Sequence, residues 1–194
     1  MIYKPRLIEA LAGKNRGLLA TESDQKMILA AIAQLEDYNP NPRPFEAIEL
    51  LNGNWRLLYT TSQELLRLDS FPFLKLGQIY QYIQAKDTAI YNIAEVYGLP
   101  LLEGIVSVVA NFEPVSEKRV KVKFNRSIVG LQRLIGYRSP DNLIAEIELG
   151  KNFTAIDFNI QNREQKGWLD ITYLDEDLRI GRGNQGNVFV LTKV

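Results

Sequence analysis

The chain has 194 residues, with 23 basic and 23 acidic side chains and neither cysteine nor histidine. A zero net charge provides no basic stripe for a phosphate backbone, so nucleic acid is not an expected partner. The two missing residue types exclude disulfides, thiolate metal sites, Ser-His-Asp catalysis and imidazole ligation of zinc or haem iron; the chain reads as a non-enzyme without metal or cofactor.

In chain order, Met1 to Arg6 lacks the apolar core of a signal peptide, and no run approaches the ~18 apolar residues a spanning helix needs. The expected location is therefore cytoplasmic, or that of a mature form whose targeting segment was removed. Residues 1–44 form a helical segment closed by a proline-rich linker. Leu7, Ile8 and Leu11 give a short apolar face, and Met27, Ile28, Ala31, Ile32, Leu35 and Tyr38 recur at helical spacing behind Thr21 and Asp24, a capping-box pair. Pro40, Pro42 and Pro44 end that run, because each biases its predecessor out of the α region. Phe45 to Leu51 makes another turn or two before Gly53.

From Trp55 onward, within the 45–194 domain, the apolar period changes to two. Strands are expected from Trp55, over 78–84, 89–97, 105–113, 119–126, 153–160, 168–174, 178–182 and 188–193, with 143–149 open between strand and helix. A meander of eight or nine short strands leaves two bare edges unless it closes, so the expected fold is mainly β: an antiparallel barrel behind an N-terminal helical segment. Gly181-Arg182-Gly183-Asn184-Gln185-Gly186 matches a dinucleotide fingerprint in letters only. A strand follows it and the chain stops at Val194, so it reads as a hairpin turn. Asp170, Asp175 and Asp177 could hold a cation for carboxylate chemistry, but the 175–177 run falls between strands and reads as a solvated turn.

Gly53-Asn54-Trp55 opens the first strand, where lipocalin-like (calycin) barrels carry Gly-x-Trp. There the indole plugs one barrel end and stacks beneath an arginine from near the last strand, a contact worth about 0.5–2 kcal/mol. Arg182 is the first candidate partner and Arg179 the second. Leu51 to Ser62, Gly77 to Gln81 and, above all, Leu169 to Leu191 resemble the plastid lipid-associated protein family, also called fibrillins or plastoglobulins. The likeness runs from about residue 5 to 193. It implies a lipocalin-like barrel, a thylakoid or plastoglobule setting and the handling of prenyl quinones, carotenoids or related lipids in photoprotection. Lacking a long transit peptide, the chain looks like a cyanobacterial member or a trimmed plastid one.

With Trp55 inward, strand alternation turns Leu57 and Tyr59 inward as well. Val106, Val108, Ala110 and Phe112 form a second lining set, Val120, Val122 and Phe124 a third, and Ile156 with Phe158 a fourth. These residues either line a cavity for a lipophilic molecule or fill the barrel as a dry core; period-two patterning suits both. Two greasy loops, 65–74 and 128–137, either cover a core end or form a portal touching membrane through Leu66, Phe71, Phe73, Leu131 and Leu134. The leading expectation is a non-enzymatic binder or carrier of a small lipophilic molecule at a thylakoid surface. The alternative is an adaptor for a polyprenyl- or quinone-processing enzyme, docking through Met27 to Tyr38.

Overall fold

The structure, a computed structural model, describes residues 2–70, 73–98, 100–160 and 167–194. Two helices come first, α1 (Tyr3–Leu11) and α2 (Glu22–Glu36). The Thr21 hydroxyl accepts the Asp24 amide while the Asp24 carboxylate accepts the Thr21 amide, so the capping box forms in both directions. The linker then makes a short 3-10 turn (Pro44–Glu46) and one turn of helix, α3 (Ile48–Leu51).

Nine antiparallel strands follow: β1 (Gly53–Thr60), β2 (Lys75–Gln84), β3 (Ala89–Tyr97), β4 (Gly104–Pro114), β5 (Arg119–Leu131), β6 (Ile156–Asn159), β7 (Trp168–Leu174), β8 (Leu178–Gly183) and β9 (Val188–Lys193). Their order is β4-β3-β2-β1-β9-β8-β7-β5-β6, and an added β4–β5 pairing closes eight of them into a barrel-like ring. Strand β6 lies outside that ring, on the same edge of β5 that β7 occupies lower down: Arg126 to Val129 pair with β6, Arg119 to Lys121 with β7. Three short helices cover ends and flanks: α4 (Gln63–Leu66), α5 (Gln132–Ile135) and α6 (Pro140–Glu148).

The segment left open between strand and helix is thus α6. Ser139 caps it by accepting the Asn142 amide, and Pro140 sits in its first turn, where the missing N–H costs nothing. The expected strand over 153–160 shrinks to Ile156–Asn159, and β5 runs on to Leu131, so part of the second greasy loop is strand. The glycine-rich 181–186 run is the β8–β9 turn: the Gly183 amide bonds the Asn187 carbonyl, and Gly186 takes the positive φ of +73°.

Each face of the sheet has its own apolar layer. The inner face carries Trp55, Leu57, Ile79, Ile83, Ile90, Ala110, Phe112, Val120, Ile171, Leu174 and Leu191. Outside β1, β7, β8 and β9, the helices α1 and α2 lay Leu7, Leu11, Ile28, Ile32 and Leu35 on Tyr59, Tyr173, Ile180 and Val190. Burying five such side chains contributes roughly 10 kcal/mol before chain entropy is counted, enough to make the helices part of the fold. Outside β3, β4 and β5, α6 seats Leu143, Ile144 and Ile147 on Ile93, Ile105 and Ile128.

Candidate functional site

Gly53 begins β1 with φ +117°, a conformation L side chains avoid, and this delivers Trp55 to the inner face. The indole is fully buried, and its N–H donates to the Leu51 carbonyl at 2.9 Å. Leu51 of α3 packs into the same layer, with Phe45 and Leu50 against it, so the linker and the indole close the barrel floor together.

The arginine above Trp55 is Arg179, with its guanidinium carbon 4.9 Å from the ring centroid, and not Arg182. Strand alternation decides between them. Trp55 stands opposite Lys193, Leu57 opposite Leu191, and Leu191 opposite Arg179. Arg182 is three positions further along β8 and so on the outer face, where its Nε and Nη2 grip both oxygens of Glu36 at 2.8 and 2.7 Å. It ties α2 to the sheet. Tyr59 is the second correction. A bulge at Leu58 puts Tyr59 opposite Val190 and not on the Leu191 side, which turns the ring out against α1 and α2.

The other lining positions keep the inner parity. One row of paired residues crosses the inner face from Lys193 through Trp55, Gln81, Asn92, Val108 and Ser127 to Phe158. A second runs from Ile79 through Ala94, Val106 and Val129 to Ile156. Leu57, Ala110, Phe112 and Val120 are buried, whereas Val106, Val108, Val122 and Val129 are half-buried and Phe124 is exposed. Ile156 and Phe158, on the strand outside the ring, are 67% and 52% exposed. The inner face is thus filled around Trp55 and Leu57 and less covered from Val108 to Val106 and Val129, a stretch called the cup below. Two shallow hollows, of about 430 and 350 Å³, lie elsewhere: one between Glu36, Asn39 and the β4–β5 turn, the other between α1 and α2.

The mouth of the cup is apolar. Phe73 is 79% exposed, and Leu101, Leu102 and Leu134 also face solvent at this end of the strands. Leu131 and Leu66 are half-buried, and Leu65 and Leu68 of the same segment pack onto the inner layer, so the first greasy loop covers the core and also presents a rim. Phe71 lies outside the described residues. A clasp holds β6 on the edge of β5: Arg126 donates to both Asp157 oxygens at 2.8 and 2.6 Å and to the Lys151 carbonyl at 2.7 Å. That pairing keeps the Asp157 carboxyl below its usual range.

Buried polar groups mark the floor. Arg179 is 2% exposed, and burial alone pulls its pKa down to about 9, so it remains charged at neutral pH. Its Nη2 donates to Gln81 Oε1 at 2.5 Å, Gln81 donates to Asn92 Oδ1 at 2.7 Å, and Asn92 to the Val108 carbonyl at 3.3 Å. Neither Gln81 nor Asn92 is singled out by the sequence pattern. A polar residue inside an apolar alternation was the signal available.

The carboxylates of the β7–β8 hairpin serve structure. Asp175 accepts the Asp177 and Leu178 amides and pairs with Lys4, and Asp170 forms a fork with Arg119. No cluster of three or more potential metal ligands occurs among the described residues. None of their helices is long and apolar enough to cross a membrane. The outward apolar face of α2 is spent on the sheet, and Met27 and Tyr38 are the large apolar residues it and its C-terminal end leave exposed.

Comparison with known proteins adds a lineage to this geometry. The family model PAP_fibrillin matches residues 1–192. A light-induced chloroplastic protein of Solanum tuberosum is 36% identical, covering 99% of this chain and 67% of its own length. A chromoplast-specific carotenoid-associated protein of Cucumis sativus is also 36% identical, over 99% and 68%. A chloroplastic plastid-lipid-associated protein of Citrus unshiu is 33% identical, over 98% and 67%. No solved structure matches.

Proposed function

Because this chain belongs to the plastid lipid-associated (PAP_fibrillin) family, we propose that it takes a lipophilic molecule into the cup of its barrel and meets a lipid surface with the rim around that opening. The observation that carries this reading is a coincidence of place. The half-buried inner Val106 and Val129 and the exposed Phe73, Leu101, Leu102 and Leu134 lie toward one end of the strands, while Trp55 and α3 fill the other.

A lipid held there buries an apolar tail against Val106, Val108 and Val129. Each Å² removed from water contributes about 25 cal/mol before ordering costs. Because the inner face around Trp55 is filled, a long molecule leaves its far end at the mouth, in reach of a membrane or lipid droplet. The rim supplies an apolar path between the two, so uptake and release proceed without crossing water. Relatives named for carotenoids and plastid lipids support a lipophilic cargo.

The test is organic extraction of the protein purified from a photosynthetic host, read by absorbance and mass spectrometry. The expected result is a stoichiometric lipid that disappears when Val106→Trp and Val108→Trp together fill the cup of a still-folded variant. An empty extract from the unmodified protein, or one unchanged by the filled cup, overturns the reading.

A further inference from the structure

We propose that Arg179 is the head-group anchor of the cup and that the molecule it selects carries a carboxylate on an apolar tail. The proposal rests on the reading of the cup as a lipid site and specifies the chemistry of its inner end.

Arg179 is a charged residue in the barrel interior without a charged partner. It is 2% exposed, has no ion pair among the described residues, and its buried Nε has no hydrogen-bond acceptor. A guanidinium offers five N–H donors; the acceptor it meets is a neutral amide oxygen, Gln81 Oε1. The Trp55 face below offers a cation–π contact, which lessens the cost of burying the charge without using any of those donors. Lys193 shares the same indole, with Nζ 5.3 Å from the ring centroid, and its own acceptor is the Leu50 carbonyl at 2.9 Å. Two cations thus meet at one aromatic floor with backbone and amide oxygens as their acceptors. A buried cation left without a counter-charge costs several kcal/mol.

The position also suits an incoming group. From Arg179 the hydrogen-bonded chain passes to Gln81 and Asn92, both half-buried, and on to the Val108 carbonyl, so it runs along the register row of Trp55 from the buried guanidinium to the half-buried Val108. A carboxylate that slides in past Val106 and Val108 reaches these amides first. It then meets the guanidinium fork, whose paired donors match its two oxygens. Its charge makes the floor neutral, and its tail lies along the half-buried valines. A neutral head group supplies an acceptor but not the missing charge.

The experiment compares three tail-matched probes, palmitate, methyl palmitate and hexadecanol, by equilibrium binding to the delipidated full chain. A charge-assisted hydrogen bond exceeds a neutral one by enough that palmitate is expected to bind about tenfold or more tightly than either neutral probe. Arg179→Gln is expected to erase that preference while leaving hexadecanol binding within about twofold. Should Arg179→Gln not fold, Arg179→Lys keeps the charge without the fork and is expected to reduce the preference without abolishing it. Equal affinity of all three probes for the unmodified protein overturns the anchor and leaves the lipid-binding reading standing, with a neutral cargo. So does a preference that survives in the variant. Failure of all three to bind overturns both readings.

Discussion

Which way a side chain points is settled by one pleat, and at Tyr59 one bulge reverses it. The ring is buried between β1 and the N-terminal helices, beside Leu178, Ile180 and Val190, and does not reach the cup. Tyr59→Ala is therefore expected to cost about 3–5 kcal/mol, as large aromatic truncations do. Cargo affinity in the remaining folded protein should not change; denaturant titration and lipid binding measured on one sample separate the two effects. Asp175 makes a second prediction at this scale. Burial acts to raise its pKa, but bonds from Lys4, the Tyr173 hydroxyl and the turn amide outweigh that and bring it from 3.8 to about 2. A carboxyl lowered on folding stabilises the protein above its unfolded value and loses that contribution as pH falls toward the folded one. Stability should thus drop between about pH 4 and pH 2, and Asp175→Asn should flatten the drop.

At the scale of elements, β6 and the rim make separable predictions. Strand β6 is four residues long and pairs only with β5 among the described residues, so the Arg126–Asp157 fork supplies much of what fixes it. Arg126→Leu is expected to raise amide exchange across Ile156 to Asn159 by about tenfold or more, while β1 and β9 stay protected. For the rim, Phe73→Ser with Leu134→Ser should weaken liposome association and shift Tm by less than about 2 °C, because both side chains already face solvent. A large fall in Tm would show that these residues serve the fold and would remove the support they give to a membrane-facing mouth.

Across the whole molecule, the N-terminal helices are held on the barrel by apolar contact and by polar stitches. Asn39 donates to the Thr172 carbonyl and accepts the Leu174 amide, Asn41 donates to the Leu174 carbonyl, Arg182 holds Glu36, and Lys4 holds Asp175. Removing residues 1–40 bares Tyr59, Tyr173, Ile180 and Val190 together. The truncated chain is expected to bind a hydrophobic dye strongly and to aggregate. A soluble, cooperatively unfolding truncation would show instead that the helices are an appended module.

The sequence by itself determined the architecture and the family. Period-two apolar alternation after Trp55, turn residues between the runs, the Thr21–Asp24 cap and the Gly53-x-Trp55 opening each act through local chemistry, so they are legible without coordinates. The missing cysteine and histidine narrowed the chemistry in the same way. Only the tertiary structure decided which of two arginines meets Trp55, where the bulge at Leu58 turns Tyr59 outward, and how far the inner apolar set is filled. Alternation carries no origin: a single inserted residue moves every later side chain to the other face, and bulges leave no reliable mark in composition. The extent of filling depends on how strands that are distant in sequence close against one another. That closure buries Leu57 and Phe112 and leaves Val106 and Val108 half-buried on the same face.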